Sequence, residues 1–136
     1  MGEKMTIERV QTMITRAPYH QWLGLKVNAI HDDGIELTAT WREEWVVNPE
    51  RRYTHGGVLA ALIDLAADWA MIKTLGRPVP TIDLRIDFHS PAMPGDLTCQ
   101  EASFHRRNRL FSTHLASCSP ADAGPILLLG PKSDGV

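Results

Sequence analysis

The chain predicts a single α+β domain: a curved antiparallel sheet wrapped around one long central helix. Three observations lead there. Residues 56–75 have helical spacing and are apolar on nearly every side, with Asp64 and Asp68 the only charges between Val58 and Ile72. Such a helix must be covered, and a sheet is the economical cover. Residues 82–88 alternate Ile82, Leu84, Ile86 and Phe88 with Asp83, Arg85 and Asp87, the period of a half-buried strand. Residues 23–41 read as a hairpin turned at Asp32-Asp33-Gly34.

The elements follow in order. Ile7, Val10, Met13 and Ile14 recur at helical spacing, and Pro18 ends that pattern. A strand over 23–30 then meets a second, in which Ile35, Leu37, Ala39 and Trp41 alternate with Glu36, Thr38 and Thr40. Residues 43–53, charged and carrying Asn48-Pro49, form a loop that feeds the central helix. Gly76 and Pro78 stop that helix. After 82–88, further strands are expected near 96–105, 110–118 and 126–129, and the segment from Gly124-Pro125 to Gly130-Pro131 is heavily punctuated. No repeat or linker interrupts the pattern, so residues 1–136 read as one domain.

Composition excludes several classes. A net charge of −2 removes the usual electrostatic argument for nucleic acid. No run approaches the roughly 18–20 apolar residues of a membrane span, and the N-terminus lacks the apolar core of a secretory signal, so a cytoplasmic protein is expected. Met1-Gly2 formally fits an acylation pattern but has no polybasic support. The two cysteines, Cys99 and Cys118, are expected as buried thiols on neighbouring strands. The histidines outside the central motif are scattered and show no metal-ligand spacing, so no metal is expected.

The chemistry concentrates in Thr54-His55-Gly56-Gly57 and in Asp64. Unpaired N–H groups at a helix start attract negative charge, and a carboxylate inside an apolar helix is costly unless it is paired or used. Together they offer an oxyanion site and a base or nucleophile. At 100° and 1.5 Å per residue, Asp64 returns to the face of Gly57 but lies about 10 Å further along the axis. A carbonyl held at Gly57 is therefore out of reach of Asp64 in the same chain, whereas an antiparallel helix in a two-fold dimer brings in the partner's copy.

These residues carry a resemblance. Asn48, His55-Gly56-Gly57, Asp64 nine residues after the histidine, Thr81 and Phe88-His89-Ser90-Pro91-Ala92 resemble the pattern of the hot-dog-fold acyl-CoA thioesterases of the phenylacetic-acid-degradation (PaaI-like) group. The spacing from Asn48 to His55 is one residue longer than in the family's animal members. The resemblance implies the hot-dog fold, a site built from two subunits of a homodimer, assembly as a dimer of dimers, and hydrolysis of acyl-CoA thioesters; apolar walls expected from Leu59 and Ile63, with no partner for a charged tail, point to aryl- or medium-chain acyl groups. The Gly57 N–H would hold the oxyanion. Asp64 would act as general base or nucleophile, Thr81 would position water, and Asn48 and His55 would orient the carbonyl or assist the leaving thiolate. Gly56, Leu59, Ile63 and Ile82 are expected along the substrate, and Arg106, Arg107 and Arg109 at the phosphates of coenzyme A. No cofactor is expected beyond coenzyme A itself, which is part of the substrate.

Each of these positions has a structural alternative. Asp64 can be a paired core acid with Asp68, one turn on, the reactive carboxylate. His55 can cap the helix, Asn48 can be a loop residue, the glycines can serve packing, Thr81 can be a plain strand residue and the arginines a solvated turn. Competing functions are a hot-dog hydratase or dehydratase, whose proline-rich histidine motif is missing here, and a non-catalytic acyl-CoA-binding module.

Overall fold

A computed structural model describes residues 5–32, 34–107, 110–120 and 127–128, with side chains through Gln100 and at Cys118. Helix α1 (Ile7–Thr15) starts at Thr6, whose hydroxyl accepts from the Arg9 N–H, and it buries Val10 and Ile14. The chain then departs from the sequence expectation. Pro18 does not only end α1; it also opens a short second helix, α2 (Pro18–Trp22). A proline at the first helical position costs nothing, because that N–H has no partner in any case.

Strands β1 (Lys26–Ile30) and β2 (Ile35–Ala39) form the expected antiparallel hairpin, closed by the His31 N–H on the Gly34 carbonyl. Ile35, Leu37 and Ala39 are buried on alternate positions of β2, as the sequence alternation requires. β1 lies at an edge of the sheet, and Gln11 of α1 covers it. The Gln11 side chain accepts from the Val27 N–H and donates to the Leu25 carbonyl, satisfying backbone groups that pairing leaves over.

Helix α3 (Gly56–Leu75) has the predicted bounds. It ends on Gly76, whose φ of +69° is left-handed backbone that suits glycine. Strands β3 (Asp87–Phe88), β4 (Leu97–Arg107), β5 (Leu110–Pro120) and β6 (Leu127–Leu128) complete a sheet in the order β1-β2-β4-β5-β6-β3. α3 packs across β2, β4 and β5. Leu59, Leu62, Ile63, Ala66 and Ala70 join Leu37, Leu97 and Cys99 in one core cluster. This is the curved sheet around a long apolar helix that the sequence predicts.

Two expectations need correction. The alternation predicts a strand over 82–88, yet only Asp87 and Phe88 are paired, to Leu128 and Leu127, and Ile82 is 81% exposed. Alternation fits a residue run for a pleated surface, but a strand also needs a neighbouring strand to accept its hydrogen bonds, and within one chain most of this run has none. The cysteines are not free thiols. Cys99 and Cys118 stand directly opposite each other on β4 and β5, both buried, and are joined as a disulfide. The expected strand at 126–129 is described only at Leu127 and Leu128, and the punctuated residues 129–131 lie outside the described residues, as do 124–126.

Candidate active site

The start of α3 is held from two sides before any ligand arrives. The Thr54 N–H donates to the Ala92 carbonyl and the His55 N–H to the Trp45 carbonyl, fixing the entry to the helix. Trp45, fully buried at the end of a short 3-10 turn (Glu43–Trp45), anchors that contact. Ala92, also fully buried, belongs to the Ser-Pro-Ala run, which gives that run a structural role beside any chemical one.

His55 is the N-cap of α3, and its Nδ1 accepts from the Gly57 N–H at 2.8 Å. The expected oxyanion donor is therefore occupied by the neighbouring imidazole in the free chain. Glycine is required for this contact, since a Cβ on residue 57 would fall 2.8 Å from His55 Nδ1. A Cβ on Gly56 would meet the Phe88 ring at 3.4 Å, an ordinary van der Waals contact, so the close approach depends on Gly57. Gly57 and His55 are exposed, as a site for an incoming carbonyl requires.

Two turns along, the Thr81 hydroxyl donates to Asp64 Oδ1 at 2.7 Å. The segment after Gly76 runs back beside α3 and delivers Thr81 to the carboxylate. The sequence alternation places Thr81 with Asp83 and Arg85, away from the apolar face; the structure sets its hydroxyl against Asp64. Asp64 is half-buried, and Thr81 holds one carboxylate oxygen in place. Such a carboxylate can take a proton from water or attack a carbonyl carbon.

Other expected residues fall elsewhere. Asn48 Oδ1 accepts from the N–H groups of Glu50 and Arg51 and so shapes the loop, where Arg52 takes a φ of +59°. Leu59 and Ile63, expected along the substrate, are instead 3% and 0% exposed within the core cluster and offer no surface to a ligand in the free chain. Ile82 lies on the exposed, unpaired run. Arg106 and Arg107 sit at the end of β4, where side chains are not described, and Arg109 lies outside the described residues.

Asp68, the alternative carboxylate one turn beyond Asp64, sits in different surroundings. Asp68 has one carboxylate oxygen buried without a hydrogen-bond partner. Burial, and secondarily the Asp64 charge, push its pKa upward, while His20 opposes the shift. A cavity of about 460 Å³ adjoins it, lined among others by Met13, His20, Trp69 and Ile72. The helical spacing of Asp64 and Asp68 was available as a signal; the approach of His20 from α2 was not. A larger open cleft of about 790 Å³, at the end of α3 by Lys73 and Gly76, contains none of the motif residues. Among the described residues, no cluster of three or more histidine, cysteine or acidic side chains could hold a metal, and no helix is long and apolar enough to cross a membrane.

Comparison with known proteins agrees with this architecture. Residues 52–114 match the family model of the thioesterase superfamily. An X-ray structure of a protein from the thioesterase superfamily superposes with a TM-score of 0.82 at 37% identity, over 92% of this chain and 98% of that one. A Ralstonia eutropha structure, titled a candidate thioesterase related to phenylacetic acid degradation, shares the fold at a TM-score of 0.72 and 22% identity, over 88% of this chain and 92% of that one. A Halobacterium salinarum protein named as a candidate esterase is 29% identical over 106 residues, 74% of this chain and 70% of its own length. By its fold, its motif and its match along nearly the whole of a superfamily structure, the chain belongs to the thioesterase superfamily and has the hot-dog fold.

Proposed function

We propose that this protein hydrolyses acyl-CoA thioesters, as a homodimer whose sites each draw on both subunits. The observation that carries the reading is the Thr81 hydroxyl fixed on Asp64, on the same helix whose first turn presents His55 and Gly57. The two halves lie about 10 Å apart along one helix, and an antiparallel partner helix closes that distance. The thioester carbonyl would sit on the Gly57 N–H of one subunit, displacing the His55 ring, with the helix dipole stabilising the oxyanion.

Asp64 of the other subunit then acts in one of two ways. As a general base it deprotonates water, which adds to the carbonyl carbon; collapse breaks the C–S bond and releases CoA as the thiolate. As a nucleophile it forms a mixed anhydride with loss of the thiolate, and water hydrolyses the anhydride. His55, freed from Gly57, is placed to orient the carbonyl or protonate the leaving sulfur. A thioester is already activated, so no further cofactor is invoked. Aryl and medium-chain acyl groups are the proposed acyl portions, and Arg106, Arg107 and Arg109 are the proposed phosphate contacts of coenzyme A.

Thiol release from a panel of acyl-CoAs tests the activity, and complementation tests the shared site. A subunit with Asp64→Asn is mixed with one bearing Gly57→Pro, which lacks the backbone donor. Recovery of activity in proportion to verified heterodimer supports the reading. Folded heterodimers that recover nothing, from two inactive parents, would refute it, and binding of acyl-CoA without turnover by the unaltered protein would favour a non-catalytic module.

A further inference from the structure

We propose that Arg52 is a positioning residue, which holds His55, and through it the Gly57 N–H, in the geometry that the reaction uses. The inference rests on the thioesterase reading and concerns that same site. It starts from a backbone that the residue type disfavours. Arg52 has a φ of +59°, and the other positive-φ residues described are all glycines. A Cβ makes the left-handed region costly, and a residue stays there only where its surroundings over-determine it.

Those surroundings account for both the turn and the choice of arginine. Residues 45–55 form a narrow ribbon. The Val47 N–H donates to the Tyr53 carbonyl, Val46 faces Thr54 across an antiparallel bridge, and the His55 N–H donates to the Trp45 carbonyl. Residues 48–52 turn the chain between the two arms, closed by the Arg52 N–H on the Asn48 carbonyl at 2.7 Å. The left-handed step at residue 52 then sends the chain into the returning arm, a place where glycine is the usual choice. Arginine adds a side chain that reaches back across the ribbon. Its guanidinium pairs with Glu43 Oε2 at 2.7 Å and lies over the Trp41 ring, 5.8 Å from the centroid. Either contact on an exposed side chain adds little to stability by itself. What matters is where they act. Glu43 opens the 3-10 turn whose last residue, Trp45, supplies the carbonyl that holds the His55 N–H. His55 in turn caps Gly57 through Nδ1. Arg52 thus ties the two arms together three residues before the histidine, on a path that ends at the proposed oxyanion donor.

Arg52→Gly is the test, because it removes the side chain while suiting the left-handed backbone. It should melt within a few degrees of the parent, since relief of the backbone offsets the lost contacts. A displaced catalytic geometry should nonetheless lower kcat for acyl-CoA by about tenfold, with KM nearly unchanged. The imidazole gives a readout independent of turnover. In the parent Nδ1 accepts from Gly57, so the neutral ring carries its hydrogen on Nε2. Nitrogen NMR should report that one tautomer and a hydrogen-bonded Gly57 amide. In Arg52→Gly the tautomers should mix and the amide signal should move. Arg52→Lys, which keeps a cation within reach of Glu43 but lacks the planar face for Trp41, should fall between the two. If Arg52→Gly does not fold, Glu43→Gln, which leaves the backbone alone, decides by the same signals. The inference is overturned if either kcat or the His55 and Gly57 signals stay at their parent values. If the unaltered protein hydrolyses no acyl-CoA, the thioesterase reading fails instead, and the signals alone decide: shifted signals support the positioning role and unshifted ones overturn it.

Discussion

Replacing Asp64 with Asn separates chemistry from architecture more sharply than any other change. The Thr81 hydroxyl donates to Asp64 Oδ1 at 2.7 Å, and asparagine offers an acceptor oxygen at the same place, so the contact survives with its charge removed. Exchanging a charge-assisted bond for a neutral one at a half-buried position should cost about 1 kcal/mol or less, a Tm change of roughly 5 °C at most for a domain of this size. The amide, however, has neither basicity nor nucleophilicity. Loss of a positioned general base lowers kcat by about two to four powers of ten, roughly 2.7–5.4 kcal/mol of barrier. Initial rates of CoA release, read by a thiol-trapping chromophore, should show that fall beside a nearly unchanged melting curve. Thr81→Val, which releases the carboxylate but keeps its charge, should cost about tenfold by the same assay. Near-normal turnover in Asp64→Asn together with inactivity in Asp68→Asn would refute the assignment and move the reaction one turn along the helix.

Two further outcomes follow from the geometry. Gly57→Ala puts a Cβ 2.8 Å from His55 Nδ1, forcing the ring off its cap; the lost cap of about 0.5–2 kcal/mol is offset by alanine's helix propensity of about 1 kcal/mol over glycine. Calorimetry should therefore show Tm altered by only a few degrees, while turnover drops because the Cβ crowds the space beside the residue-57 N–H where the carbonyl is proposed to bind; unchanged turnover would count against the carbonyl binding there. Asp68 gives a pH test. Its pKa is raised in the fold, so the stability it contributes is complete below the ordinary value of 3.8 and is lost as pH rises through the folded value. Asp68→Asn, which never ionises, should be more stable than the parent at neutral pH, with the gap closing below 3.8; a gap that is constant with pH would contradict this.

The sequence showed most clearly those parts that local chemistry decides. The bounds of α3 were legible because a Gly-Gly start, a long apolar interior and a left-handed Gly76 all act within a few residues of the chain. The hairpin of β1 and β2 was legible for the same reason. What stayed hidden depends on partners distant in sequence. Alternation over 82–88 announces an amphipathic run but says nothing of a neighbouring strand. The opposition of Cys99 to Cys118 requires the register of β4 against β5. Pro18 was ambiguous in kind, since one residue can end a helix or begin the next. In the site, Asp64 and the helix start stood out as chemically unusual, but that His55 and Gly57 bind each other, and that Asn48 braces its own loop, only coordinates show.

The disulfide acts on the sheet as an index mark. β4 and β5 form the longest hairpin among the described residues, and their pairing is disturbed on both sides of Ser103 before the original register resumes at Phe104. A slip of one residue would turn every buried side chain outward, and the hydrophobic pattern forbids it. A slip of two residues keeps inside and outside intact, so pattern alone resists it poorly. Joining Cys99 to Cys118 excludes that second error, because the sulfurs can meet only when those two positions stand opposite each other. The irregular stretch near Ser103 is thereby confined to the half of the hairpin toward its turn, while the half beneath α3 keeps the alignment on which the packing of the central helix depends.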